Sequence, residues 1–294
     1  MKEINNETRQ HSNPWPFFVL TYAISWILWI PLALSSQVVT EGPRMIALVL
    51  GALGPSIAGI LMVYRTQVRE GRRDFWRRSF NFKQIGAGWY AVIILIFPVA
   101  YGLGSLVDIL LGGTLPGAEA LAQIAAQPAS LIGMLFMLLL MGPLAEEFGW
   151  RGYALDQLQS KWSALVSNLT LGVFWFVWHF PLFFMNGMLQ QELGFGSLAF
   201  WAYGAFCLAL SILIAWVYNN NGRSILAAIL LHFMSNATTT VLGPISDRTN
   251  IFAISILVVA AIVVVIAWGA KTFTRQPGLK NSSWSRRATS NERT

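Results

Sequence analysis

Asp108, Glu146, Glu147, His179 and His232 are the ionisable side chains that interrupt the long apolar stretches of this sequence. If those stretches cross a bilayer, each charge costs about 2.5 to 3.5 kcal/mol on insertion scales and calls for an explanation. Carboxylate and imidazole groups gathered in a low-dielectric site can move a proton between water and a substrate. Neighbouring amide or imidazole N–H groups can hold a developing oxyanion. Such groups can serve hydrolysis, but the same types also ligate zinc or relay protons.

Glu146 and Glu147 sit in the string Ala-Glu-Glu-Phe-Gly-Trp-Arg-Gly, residues 145–152. On a helix Glu147 and Arg151 are i and i+4 and share a face, whereas Glu146 points about 100° away. The expected division of labour has Glu147 pairing with Arg151 to hold a helix end, leaving Glu146 to face a cavity. Read alone, the string fits a charged helix end at a membrane interface equally well. His179 lies in Phe-Trp-Phe-Val-Trp-His-Phe-Pro, residues 174–181. His232 and Asn236 are i and i+4 on one face of a later stretch. A single histidine among aromatics is more often a packing residue than a catalyst, and an Asn one turn away often serves as interhelical glue. The functional reading rests on coincidence: three helices each bring polar groups, where little other charge is spent. Asp108, near the far end of its run, is read as reaching the opposite interface and having no part in the site.

Composition spells out the elements that must position these groups. Hydrophobic residues make up 55% and charged residues 11%, with mean hydropathy +0.55. In soluble chains the charged share is about 25%. Hydrocarbon about 30 Å thick needs about 20 helical residues. Eight apolar runs meet that length, at 16–36, 45–64, 88–111, 130–149, 165–186, 196–218, 224–242 and 251–269. The expected fold class is an all-α, polytopic transmembrane helical bundle. When the connections are assigned alternately, every Lys and Arg except Arg44 and Arg248 falls on one side. By the positive-inside rule that side is the cytoplasm, and both termini lie there.

From those ends Glu146 lies about one turn deep, His232 about 12 Å and His179 about 15 to 20 Å. Convergence then requires a fifth helix that tilts or starts later than drawn. The alanine-rich segment 116–127 is too short to span and is read as a loop or short interfacial helix. Residues 271–294 are basic, lack apolar periodicity and are expected to be disordered. Residues 1–270 are left as one membrane domain, with its motif-bearing core at 130–240. The first run is long enough to span, so no cleavable signal peptide is expected. The single cysteine, Cys207, excludes an internal disulfide.

These motifs resemble those of the CPBP family, the CAAX prenyl proteases and bacteriocin-processing proteins, also called Abi. That family carries Glu-Glu-x-x-x-Arg, Phe-x-x-x-His and His-x-x-x-Asn on successive core helices. Here they fall on Glu146, Glu147 and Arg151, on His179, and on His232 with Asn236, in the family order. Gly54-Pro55 in the second run weakly echoes a family Gly-Pro. One departure is Trp175, which stands four before His179 in place of Phe. This larger aromatic is expected to keep the packing role while being able to reshape the pocket.

The resemblance implies peptide-bond hydrolysis in a cavity open to the cytoplasm. In that reading Glu146 is the general base that activates water and His179 orients it. His232 and Asn236 donate to the oxyanion, each donor being worth about 3 to 4 kcal/mol. Glu147 and Arg151 support them. A competing account makes Glu146, His179 and His232 the three protein ligands of a catalytic zinc. The His-Glu-x-x-His string of helical zinc proteases is absent, which removes the strongest zinc signature without excluding a site assembled from three helices; the metal-free route is favoured, with no cofactor, and zinc stays the alternative.

Two other classes stay in view. A transporter would use buried Glu and His as an ion relay, but the sequence shows no paired repeats or matched broken helices. A non-catalytic binding or immunity protein could share the motifs without turnover. The intact set of Glu146, His179, His232 and Asn236 speaks for activity, because a scaffold has no need to bury it. The expected partners are a membrane-associated peptide or protein substrate and anionic lipid headgroups, not nucleic acid. The expected location is the plasma membrane.

Overall fold

In the computed structural model the described residues are 13–275, apart from 115–116, 118–125 and 244. Among them, eight helical segments are long and apolar enough to cross a bilayer. These are Trp15–Ala33, Gly42–Thr66, Ala87–Leu110, Ala129–Gln159, Ala164–Phe184, Leu198–Asn220, Ile225–Leu242 and Asp247–Trp268. They match the eight expected runs one for one, the fourth running on past its expected end at 149, and the described residues contain no strand. The protein is an all-α transmembrane bundle.

The first three crossings are α1 (Trp15–Ala33), then α2 (Gly42–Ala52) with α3 (Gly54–Thr66), then α5 (Ala87–Leu110). A short basic helix, α4 (Arg69–Phe80), precedes α5. The fourth crossing is composite: α6 (Pro128–Met141), α7 (Pro143–Gly149), a π-helical segment at Trp150–Ala154, and α8 (Leu155–Gln159). The remaining helices are α9 (Ala164–Trp178), the short α10 (Leu189–Leu193), α11 (Leu198–Asn220), α12 (Ile225–Leu242) and α13 (Asp247–Trp268). The breaks in the second and fourth crossings fall at Gly54-Pro55 and Gly142-Pro143. Proline lacks the N–H that would continue the preceding helix but suits the first turn of a new one. Serines cap four helices: Ser163, Ser197, Ser224 and Ser246 accept from the N–H groups of Val166, Phe200, Ala227 and Thr249 at 3.0 to 3.3 Å.

The connections segregate onto two sides. On one side Arg78 of α4 is buried between Asp74 (2.9 Å), Asp156 (3.2 Å), the Tyr218 hydroxyl (2.8 Å) and the Arg223 carbonyl (3.0 Å). Arg223 pairs with Asp156 as well. On the other side Val39 N–H donates to the Asn186 carbonyl at 3.0 Å. There, too, Asp108 accepts from Ser246 (2.5 Å) and Thr249 (3.0 Å) and pairs with Arg248 (3.0 Å). Asp108 therefore ties α5 to the start of α13.

The start of the basic tail is held in place. The Lys271 and Ala270 carbonyls accept from Ala164 and Leu165 N–H groups, and Phe273 is fully buried. The described residues thus continue past 270 to Arg275, with Phe273 buried against apolar neighbours. The rest of the tail, 276–294, lies outside the described residues, as do 1–12 and most of 116–127.

The helix that carries both glutamates is seated by a close backbone approach. A Cβ on Gly149 of α7 would lie 2.0 Å from the Pro55 carbonyl oxygen of α3. One on Gly59 would lie 2.4 Å from the Gly149 Cα. Only glycine at both positions lets the two backbones touch. Ser56 Oγ also donates to the Leu144 carbonyl at 2.9 Å.

Candidate active site

The sequence reading ended the fourth helix at 149, with Glu146 one turn from the membrane surface. The crossing instead runs on through the π-helical segment to Gln159. Glu146 therefore lies about 20 Å from that end at 1.5 Å per residue. His179, counted from the start of α9, sits at nearly the same depth, so no special tilt or late start of the fifth helix is required. The apolar run seemed to stop because charge appears at 146–151. Those charges are buried: Glu147 and Arg151 are 0% exposed and Glu146 is 5% exposed. The string is not an interfacial helix end.

Inter-helix register follows from the charged layer. Asp156 meets Arg223 at one side of the bundle. Nine residues before Asp156 is Glu147, and nine after Arg223 is His232. The fourth crossing runs towards that layer and α12 runs away from it. Equal counts along antiparallel helices bring Glu147 and His232 level, and His232 Nδ1 lies 2.8 Å from Glu147 Oε1. The same oxygen accepts from Arg151 Nη1 at 2.8 Å. Glu147 therefore braces both a cation and an imidazole.

Glu146 turns to another neighbour. Its Oε2 accepts from the Trp175 indole N–H at 2.6 Å. His179 closes the C-terminus of α9, where Pro181 prevents a further turn. Its Nδ1 lies 2.7 Å from the Trp175 carbonyl. The Trp175 ring is 5.2 Å, edge-on, from His232 and 6.0 Å from His179, with the Arg151 guanidinium 4.5 Å over its face. That stacking offsets part of the cost of enclosing Arg151, whose Nε and Nη2 have no hydrogen-bond partner among the described residues. Asn236 is partly buried. Its Oδ1 accepts from Ser235 at 3.3 Å, and its Nδ2 lies where a Cβ on Gly142 would meet it at 2.8 Å. From α11, Tyr203 packs edge-on at 5.5 Å from His179, and Cys207 lies beside Tyr203.

These contacts constrain protonation. A backbone carbonyl and a carboxylate accept only, so His179 Nδ1 and His232 Nδ1 each carry a proton. In a neutral ring this leaves Nε2 as an acceptor. Imidazoles that bind metal are oriented in the same manner. Yet among the described residues no three His, Cys, Asp or Glu side chains lie close enough together to hold one ion.

The matches to known proteins cover this same region. Residues 128–238 match the family described as Type II CAAX prenyl endopeptidase Rce1-like, a span that contains every motif residue from Glu146 to Asn236. The chain is also 32% identical over 257 residues to CAAX prenyl protease 2 of Methanococcus maripaludis, covering 86% of this chain and 93% of that relative. The chain belongs to the Rce1-like CAAX prenyl endopeptidase family. It is thus an integral membrane protein of a protease family, the class that the resemblance of its motifs implied.

Three features of the Rce1-like site escaped the sequence reading. One is the Trp175 N–H on Glu146, which could have been sought by asking which acceptor a buried indole takes. The second is the contact of Glu147 with His232, and the third is the approach of Tyr203 and Cys207. Neither of these left a spacing signal, because both depend on which helices are neighbours.

Proposed function

We propose that this chain is a glutamate-dependent intramembrane endopeptidase that cleaves a membrane-associated substrate, of the CAAX-type prenylated class for which its relative is named. One observation carries the reading. Glu146 is anchored through Oε2 by the Trp175 N–H, and His179 and His232 are each held through Nδ1, while these three side chains keep 4 to 7% of their surface exposed and Asn236 is only partly buried. A carboxylate and two imidazoles, each pinned through one polar atom and none fully sealed from solvent, are arranged for a ligand rather than for packing.

Water lodges between Glu146 Oε1 and His179 Nε2, each accepting one of its protons. Glu146 takes a proton as the water oxygen attacks the scissile carbonyl carbon. The resulting oxyanion accepts from Asn236 Nδ2–H and, when the ring carries its second proton, from His232 Nε2–H, with Glu147 as counter-ion. Glu146 then returns its proton to the departing nitrogen as the C–N bond breaks. No metal takes part. Both termini and the basic connections face the cytoplasm, in the plasma membrane, and the site opens to that side. Anionic headgroups meet the exposed Arg69, Arg73 and Arg77 of α4.

The test uses purified protein with a prenylated CAAX peptide in vesicles, together with a comparison of membrane peptides from cells carrying wild-type protein or Glu146→Gln. Cleavage should vanish in folded Glu146→Gln and survive exhaustive chelation. Turnover by Glu146→Gln would overturn the base assignment. Loss of activity on chelation, restored by zinc, would overturn the metal-free route.

A further inference from the structure

Trp175 touches four ionisable residues of the site. Its indole N–H donates to Glu146 at 2.6 Å and its backbone carbonyl holds His179 at 2.7 Å. Its ring lies beneath Arg151 at 4.5 Å and against His232 at 5.2 Å. The residue is 3% exposed. Sequence reasoning gave this position an aromatic packing role. A phenyl ring could fill and stack there, but it has no hydrogen to donate.

We propose that Trp175 is a positioning residue of the reaction, its indole N–H fixing Glu146 through Oε2 so that Oε1 is presented to water. The proposal rests on Glu146 being the base. A glutamate has three side-chain torsions, and a base that must find its water by rotamer search loses effective concentration. A short N–H donor to one carboxylate oxygen removes that freedom without occupying the other oxygen.

The indole is itself held. Arg151 stacks on its face, and Glu147 pins Arg151 at 2.8 Å. A continuous path of contacts, Glu147 to Arg151 to Trp175 to Glu146, therefore connects the two adjacent glutamates through another helix. This assigns the Glu147–Arg151 pair a task beyond bracing its own helix: it keeps the donor on Glu146 in place.

The experiment compares wild type, Trp175→Phe and a protein with benzothienylalanine inserted at position 175, which keeps the bicyclic shape but has sulfur in place of the N–H. Each is assayed for kcat, KM and thermal unfolding in detergent on the prenylated peptide, beside Glu146→Gln. The expected result is that both Trp175 replacements lower kcat by about 10- to 100-fold with KM little changed, the scale of a misplaced reacting group. The benzothienyl protein should melt as wild type does. Wild-type kcat in the benzothienyl protein, with only Trp175→Phe impaired, would reduce Trp175 to a packing residue and overturn the proposal. Turnover by Glu146→Gln would instead overturn the base assignment, and this proposal with it. The two failures are thereby distinguishable.

Discussion

Replacing Glu147 by Gln should destabilise the protein far more than replacing Glu146 by Gln, although the residues are adjacent and both are buried. Glu147 and Arg151 are each 0% exposed and joined at 2.8 Å. Removing one partner of such a pair strands the other charge, at a cost of about 3 to 5 kcal/mol. With about 2 to 4 °C per kcal/mol for chains of somewhat smaller size, the apparent melting temperature should fall by about 6 to 20 °C. Glu146→Gln strands nothing, because the amide oxygen can still accept from Trp175, and its cost should stay within about 1 kcal/mol. The assay is thermal unfolding in one detergent at one scan rate, since apparent melting temperatures of irreversibly unfolding proteins depend on rate. Adding Arg151→Met to Glu147→Gln should restore most of the loss by removing the stranded charge. Equal losses from the two single substitutions, or no recovery in the double variant, would refute this account of the buried pair.

Asn236→Ala should lower kcat by about 100- to 1,000-fold with KM little changed, as expected of a donor that acts mainly in the transition state. If it serves only as interhelical glue, the change would cost about 0.6 kcal/mol of stability and spare turnover per folded molecule. Gly149→Ala places a Cβ 2.0 Å from the Pro55 oxygen and should lower stability and cleavage together, whereas Gly133→Ala, with nothing within 4 Å, should change neither. Both are read by melting and by specific activity. Reporter fusions near residue 75 should read cytoplasmic and those near 192 external; the reverse would invert the proposed orientation.

Much of this protein is legible without coordinates. Hydrocarbon demands about 20 apolar residues per helical crossing, so the eight spans could be counted. Helical geometry ties residues four apart, so Glu147 with Arg151 and His232 with Asn236 could be paired on their faces. The cost of burying charge singled out Glu146, His179 and His232.

What sequence misread was the end of the fourth crossing. A linear scan takes Glu146, Glu147 and Arg151 as the start of a polar surface, whereas in the fold Glu147 and Arg151 cancel one another and pass unexposed through the interior. The partners of each carboxylate were also out of reach. Glu146 meets Trp175, 29 residues away, and Glu147 meets His232, 85 residues away. Those choices depend on how each helix is rotated about its axis and slid along its neighbour. Here rotation and register are set by the glycine contact of α3 with α7 and by the charged layer around Asp156 and Arg223. Periodicity along one helix carries no information about the angle at which another helix meets it, so only tertiary packing could decide which glutamate faces the tryptophan and which the histidine.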